Sequence, residues 1–593
     1  MTNQEIAKIF YEIAALYEME GVEFKPRAYE KAAMAIEAYE GDIAELYEKG
    51  GIDALYKNPK TKIPGVGQSM AEHIAQLIDK GRFAEYERLK KKVPVDIQGL
   101  TAIEGVGPKM VYKLYKKLGV KTVDDLEKAA KAGKVRKLED FGEKSEENIL
   151  KGIEFLKKST GRFTLGFVLP DLKKIENRLK ELPQVKQISL AGSVRRKKET
   201  VGDCDILITS AAPKPVMDFF VSMPEVERIY AHGPTKSAVK LKSGIDVDLR
   251  VVPPESFGAA MQYFTGSKDH NIALREIAIK KGWKLNEYGI FKGKKQIAGK
   301  TEEEVYKKLG LNYIEPEMRE NLGEIQLAQK GNLPKLIGYN DLKGDLQIQT
   351  DWTDGANSIE EMAEEAKKLG LEYIAITDHT KSLAMTGGSD EKKLLRQMAA
   401  IDKLNSKINL RPELRSRENQ KSKFRILKGA EVNILKNGSL DIADDVLAKL
   451  DVVGAAVHSH FNLPRTEQIK RIIRAMENPN VDILFHPTGR IIQRRAAYDL
   501  DIDEIIKAAK RTGTILEIDA YPDRLDIKDE YVKKCVEQGV KLAIDSDAHS
   551  VVHIHYLEYG IAQARRGWAK KSDIINAKPL KEFLKCLKNR PAW

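Results

Sequence analysis

Three aspartates carry the most specific chemistry in the sequence. Residues 192–205 read GSVRRKKETVGDCD, and the run CDILITS that begins at Cys204 is apolar and β-prone. Asp203 and Asp205 therefore open a strand, and alternation along a strand points both of them one way and Cys204 the other. A third carboxylate, Asp248, stands in IDVDLRVV (245–252), a second β-like run suited to lie beside the first. Carboxylates gathered on one face bind Mg²⁺ or Mn²⁺, ions that take oxygen ligands and leave positions open for phosphate. Gly192, Ser193 and Arg196 add a turn, a hydroxyl and a guanidinium suited to a triphosphate, and Gly202 lets backbone amides approach it. A lone Asp-x-Asp is usually a solvated strand end. Here the glycines, the arginines and the third aspartate all agree on nucleotidyl transfer, with Arg250 as a structural partner of the carboxylates.

These stretches, together with YFTGSKDHNIALREIAIKKGWKLNEYGIF (263–291), resemble the palm and thumb motifs of the family X DNA polymerases. The likeness covers nearly the whole chain and is to the bacterial and archaeal form, in which a C-terminal PHP domain is fused to the polymerase. It implies a DNA-templated polymerase that fills short gaps in base excision repair, with dNTPs and gapped or nicked DNA as partners. It makes Asp203, Asp205 and Asp248 the catalytic ligands and sets Tyr263, Phe264, Gly266, Asp269 and Asn271 around the nucleotide. Read without the likeness, Tyr263 and Phe264 are a buried aromatic pair with a polar cap.

The elements that position these groups follow in order. IPGVGQSM (63–70) and IEGVGPKM (103–110) repeat at an offset of 40 residues, each between apolar helical segments, the layout of a helix-hairpin-helix. Gly65, Gly67, Gly105 and Gly107 allow tight turns whose amides, at a helix N-terminus, hold a DNA phosphate without reading sequence. LEDFGEKSEENIL (138–150) reads as a degenerate third copy. In FKPRAYEKAAMAIEAY (24–39), Lys25, Arg27 and Tyr29 fall near a helix start, and Lys25 is a candidate phosphate contact. His73 stands where the polymerase β group carries its imine-forming lysine, so lyase chemistry by that route is not expected. Lys60 and Lys62 lie nearby, and nothing singles them out.

Beyond a stretch without clear periodicity (317–342), six β-like runs end in metal-capable residues: 372–379, 424–432, 451–460, 481–487, 514–519 and 541–549. Strands alternating with helices indicate a β/α barrel with its chemistry at the strand C-termini. This half resembles the PHP phosphoesterase domain, which implies ligands at Asp354, His379, Glu431, His458, His486, Asp547 and His549, holding Mn²⁺ or Zn²⁺ for a 3′→5′ exonuclease. Its first motif departs from the family pattern. Gln347 and Gln349 stand where PHP domains usually carry His-x-His, so a reduced metal centre is expected. The basic segment 405–425 reads as a barrel surface loop.

The expected whole is a multidomain α+β and α/β protein: a helical DNA-binding domain (1–85), a second helix-hairpin-helix domain (86–150), a nucleotidyltransferase palm (151–240), a thumb (241–317), a linker (318–342) and the barrel (343–593). With 593 residues several cores are required, and a formal charge of +12 favours a polyanionic partner. No run reaches membrane-span length, and Cys204, Cys535 and Cys586 form neither a disulfide framework nor a zinc spacing. A cytoplasmic monomer is expected. Two rival functions remain open: a repair nuclease dominated by the barrel, and a non-catalytic DNA scaffold.

Overall fold

The computed structural model describes every residue except 2, 38, 40, 59–60, 64, 104, 159–160, 384–385, 411–423 and 589–593. Most of the basic loop expected at 405–425, and Lys60, therefore lie outside the described residues.

Helices from Asn3–Met19 to Glu143–Lys158 build the N-terminal part around one continuous apolar cluster running from Ile6 to Ile153. The repeated turns superpose in their backbone logic. Val66, Val106 and Phe141 donate to Ile63, Ile103 and Leu138 respectively, and the next helix opens directly after Gly67, Gly107 and Gly142. Gly65 (φ +74°) and Gly105 (φ +78°) take left-handed backbone, and in the third copy Asp140 does the same at φ +72°. Aspartate is among the few residues with a Cβ that tolerate this region.

Seventeen strands follow among the described residues. Short β1 (Phe163–Thr164) pairs with β3 (Thr200–Val201). β2 (Val185–Leu190), β4 (Asp203–Ser210), β5 (Val226–His232), β6 (Lys236–Leu241) and β7 (Asp246–Val251) form the palm sheet in the order β2-β4-β7-β6-β5. Only β4 and β7 run parallel within it. The sheet thus continues past residue 240, where the sequence reading ends the palm, because β7 completes it.

β8 (Lys284–Asn286), β9 (Gly289–Lys292) and β10 (Lys295–Ala298) form an antiparallel thumb sheet packed by helices Lys268–Lys280 and Glu302–Leu309. The segment 318–342 is no loose linker. It contains helix Glu324–Lys330, and Met318, Ile325, Ala328 and Leu336 join the thumb core. Arg319 is wholly buried, donating to Glu302 at 2.6 Å and to the Ile314 carbonyl at 2.9 Å. Burial through paired charges leaves no apolar period to read.

The last seven strands are parallel and ordered as in the sequence: β11 (Gly344–Ile348), β12 (Tyr373–Ile376), β13 (Arg425–Asn433), β14 (Val452–Ala456), β15 (Ile483–Leu484), β16 (Ile515–Asp519) and β17 (Leu542–Asp545). A parallel bridge between Ile348 and Ala548 joins the first to the last, so the six expected runs and β11 close a barrel. Ile492, Leu525 and Tyr559 of the barrel enter the palm core, which packs the two units together. No helix among the described residues is long and apolar enough to cross a membrane.

Candidate active sites in the palm and the barrel mouth

In the palm, Asp205 lies directly opposite Asp248 in the β4–β7 ladder, and Cys204 is buried on the other face. Burial pushes the Asp205 carboxyl up to about 6, with the charges of Asp203 and Asp248 adding to the rise and Arg250 opposing it. Arg250 reaches two of the three aspartates, Nη2 to Asp248 Oδ2 at 3.0 Å and Nε to Asp205 Oδ1 at 3.6 Å. Lys236 Nζ meets the same Asp248 oxygen at 2.8 Å. Lys236 belongs to no motif in the sequence, and nothing local shows that its strand β6 adjoins β7. An all-oxygen set on one face of parallel neighbours, its repulsion offset by two cations, fits hard divalent ions.

The triphosphate candidates surround this face. Gly192 takes φ +64°, and a Cβ there would stand 3.6 Å from Asp205 Oδ2. Ser193 is half-buried in the short turn Gly192–Arg195, and Gly202 immediately precedes β4. Arg196 is engaged elsewhere: its Nε donates to Glu320 Oε1 at 3.0 Å and its Nη1 to the Thr265 carbonyl. Gly266 (φ +69°) sits against it, with room for a Cβ only 3.1 Å from Arg196 Nη1. Tyr263 and Phe264 make an edge-on pair at 5.2 Å, half-buried rather than enclosed. Asn271 accepts from Gln262 and donates to the Tyr263 carbonyl, while Asp269 is exposed in the first helical turn.

In the N-terminal part, Gly67 and Gly107 begin their helices without a side-chain cap, and a Cβ on either meets nothing within 4 Å. Both turns therefore present open helix N-termini to an anion. Lys25 is exposed, its Nζ 3.1 Å from the Tyr17 hydroxyl. His73 is tied to the Tyr29 hydroxyl at 2.9 Å and stacked on Phe83 at 4.2 Å.

The barrel mouth gathers the histidines. Two groups of potential ligand atoms converge among the described residues: Asp354 with His379 and His549, and His379 with Glu431 and His458. His486 joins the second, its Nε2 2.8 Å from Glu431 Oε1, where His458 Nε2 also arrives at 3.0 Å. Burial resists ionisation of Glu431, yet His379, His458 and His486 hold its carboxyl well below the usual range. Burial drives His486 down to about 4, with the charge of Arg524 adding to the effect. Asn433 fixes the His458 ring through Nδ1 at 2.8 Å, as outer partners of ligating imidazoles do. Asp354 Oδ1 is buried without a hydrogen-bond partner, which suits an oxygen able to hold an ion. His486 (φ +29°) and Asp547 (φ +51°) hold unfavourable backbone at strand ends, a strain that clusters at sites.

Asp547 meets His549, whose Nδ1 lies 2.8 Å from the Asp547 carbonyl and 3.9 Å from Asp547 Oδ1, while Asp547 Oδ2 is 3.3 Å from Arg524 Nε. Gln349 donates from Nε2 to Glu431 Oε2 at 2.9 Å, and the buried Gln347 amide has no partner at either atom. Arg524, in the turn after β16, escaped the sequence reading because it belongs to no metal-ligand pattern.

Family models match along the chain: a helix-hairpin-helix domain at 1–83, a SAM-like helix-hairpin-helix tandem at 97–154, a DNA polymerase beta thumb at 260–320 and a PHP domain at 345–550. The protein is 38% identical over 593 residues, 99% of this chain and 100% of the relative, to the DNA polymerase/3′-5′ exonuclease PolX of Bacillus subtilis (strain 168). The DNA polymerase lambda of Arabidopsis thaliana is 25% identical over 54% of this chain and 62% of its own length. A probable phosphatase of Thermoanaerobacter sp. (strain X514) is 32% identical over 39% of this chain and 88% of its own. Similarity that runs unbroken from the hairpin helices through the thumb to the barrel leaves one assignment: the chain belongs to the family X DNA polymerases that carry a C-terminal PHP domain.

Proposed function

We propose that this enzyme fills short gaps in DNA at the palm and trims 3′ ends at the barrel mouth. The observation that carries the polymerase reading is the register of Asp205 against Asp248, with Asp203 on the same face of β4. Asp203 and Asp205 would hold both ions, Mg²⁺ or Mn²⁺, with Asp248 completing the set and helping to activate the primer 3′-hydroxyl. When bound, the ions offset charge at the α-phosphate and ease deprotonation of that hydroxyl. The chain supplies the rest. Ser193 and the amides at Gly202 bind the triphosphate, and Arg196 turns from Glu320 to reach it. Tyr263 and Phe264 pack on the sugar, with Asp269 and Asn271 toward the base and the minor groove. Arg250 and Lys236 offset the repulsion between carboxylates. The hairpin amides after Gly65 and Gly105, with Lys25, grip the backbone on either side of a gap.

At the barrel mouth, Asp354, His379 and His549 form one ligand set and Glu431, His458 and His486 another. These residues would hold Mn²⁺ or Zn²⁺, which would supply Lewis-acid polarisation of a phosphodiester and activation of water. Three free cysteines support a reducing, cytoplasmic setting.

A 5′-labelled primer on gapped DNA, with and without dNTPs, tests both activities. Extension should vanish in Asp203→Ala, and shortening without dNTPs should vanish in Glu431→Ala. Shortening with no extension would favour a repair nuclease; DNA binding with neither would leave a scaffold.

A further inference from the structure

The barrel presents two complete ligand sets and the remains of a third. His379 directs Nε2 at Asp354 (3.7 Å) and Nδ1 at Glu431 (3.2 Å), and a neutral imidazole serves a single ion, so His486 completes the second set without it. What remains beside Glu431 is Gln347, Gln349 and Asp547, brought together by the closing strands: Ala548 N donates to the Gln347 carbonyl at 3.2 Å, and Gln349 N to the Ala548 carbonyl at 2.8 Å. Neither glutamine serves a transition metal. Gln349 points an N–H donor at Glu431 Oε2 at 2.9 Å, so that oxygen meets a hydrogen. The Gln347 amide is buried and uncharged.

A cation is nonetheless present. Arg524 Nε lies 3.3 Å from Asp547 Oδ2 and 3.5 Å from Asp519 Oδ2, and its guanidinium also interacts with the charge of Glu431. Asp519 is completely buried, and Arg524 is the positively charged side chain that lies against both it and Asp547. A guanidinium is permanently charged, cannot dissociate and offers only donors. It holds the carboxylates as an ion would but cannot act as a Lewis acid.

We infer that Arg524 occupies, as a fixed charge, the ion position that Gln347 and Gln349 leave without ligands, so that the barrel is a two-ion centre completed by a guanidinium. Arg524 is then a positioning residue: it sets Asp547 and, through the shared charge, Glu431. The inference rests on the barrel being a metal centre, as proposed above.

Ion counting tests it without reading hydrolysis, so it can fail or hold independently of the exonuclease. The full chain carrying Asp203→Asn and Asp205→Asn, which silences the palm, is loaded with Mn²⁺, desalted and analysed by plasma mass spectrometry. About two ions per chain are expected, since each three-ligand set holds one; three would overturn the inference. Gln347→His with Gln349→His, Arg524 retained, should stay at two, and a rise to three would again overturn it. Adding Arg524→Gln to that pair should admit the third ion. Arg524→Gln alone should lower the melting temperature, and restoring the histidines should recover it in Mn²⁺ but not in EDTA. A purely structural arginine would show no such metal-dependent rescue, and its absence in a folded triple variant would sink the proposal.

Discussion

Arg196 of the palm and Arg566 of the barrel meet on one oxygen: Glu320 Oε1 accepts from Arg196 Nε at 3.0 Å and from Arg566 Nη1 at 3.2 Å. Arg566 also donates to the Arg196 carbonyl at 2.9 Å and to Asp529 at 2.6 Å. The side chain proposed for the triphosphate is thus held on a carboxylate that the barrel shares.

Releasing Arg196 from Glu320 is therefore a cost of nucleotide binding. In Glu320→Gln the competing charge is gone, while Arg566 keeps Asp529. A gain of roughly 1 kcal/mol corresponds to a dNTP KM lower by about fivefold, with kcat little changed. Steady-state filling of a one-nucleotide gap measures both constants. An unchanged or raised KM would mean that Glu320 orients Arg196 for the phosphate instead of competing for it.

Gly67 (φ −90°) and Gly107 (φ −81°) sit in backbone that any residue adopts, and nothing in the protein lies near their missing Cβ atoms. Folding does not need these glycines; the proposed phosphate contact with the amides does. Gly67→Ala with Gly107→Ala should leave the melting temperature nearly unchanged and weaken DNA binding by about tenfold, read by fluorescence anisotropy at fixed salt. Gly105→Ala is different, because φ +78° places a Cβ in strained backbone and costs about 1 kcal/mol of stability.

The three palm aspartates were legible because strand alternation and a β-prone flank fix which way they face. The barrel was legible because metal-capable residues recur after apolar runs. What the sequence hid depends on partners distant in the chain. Arg319 and Glu324 bury themselves through Glu302 and His270, so their segment lacked an apolar period and read as a linker. Asp140 replaces a glycine in the third hairpin turn, which leaves the backbone unchanged but blurs the motif. Arg524 and Lys236 act on carboxylates brought near by sheet pairing, which no local spacing encodes.

The palm should show a pH dependence of its own. Burial raises Asp205 to about 6, so in the folded chain the protonated form is favoured over a wider range than in an ordinary carboxylate. Its contribution to stability without metal is present below the ordinary carboxylate pKa and is lost as pH rises through about 6. Cation binding runs the other way, since the proton must leave. Mn²⁺ affinity of the palm should fall about tenfold per unit below pH 6 and level off above it. Binding followed by electron paramagnetic resonance, with the barrel ligands substituted, checks this. Arg250→Gln should move the inflection to higher pH, because Arg250 is the group that opposes the rise.

Palm and barrel should unfold together. Ile492, Leu525 and Tyr559 lie in the palm core, and Gly166 approaches Pro522 so closely that a Cβ would stand 2.4 Å from the proline ring. The contact is anchored by Arg490, 5% exposed, whose Nη2 meets Glu199 Oε2 at 2.7 Å and also donates to the Leu525 carbonyl. Glu199 is itself 30% exposed, and without it Arg490 keeps the Leu525 carbonyl and the charge of Asp526, so losing the pair costs about 1–2 kcal/mol. Glu199→Ala should therefore lower the calorimetric transition of the palm and barrel while leaving the barrel's ion content unchanged. Glu199→Gln retains an acceptor for Arg490 and should lose less. A transition that already splits in the wild type, with one part insensitive to both substitutions, would show that the shared core does not couple the two units.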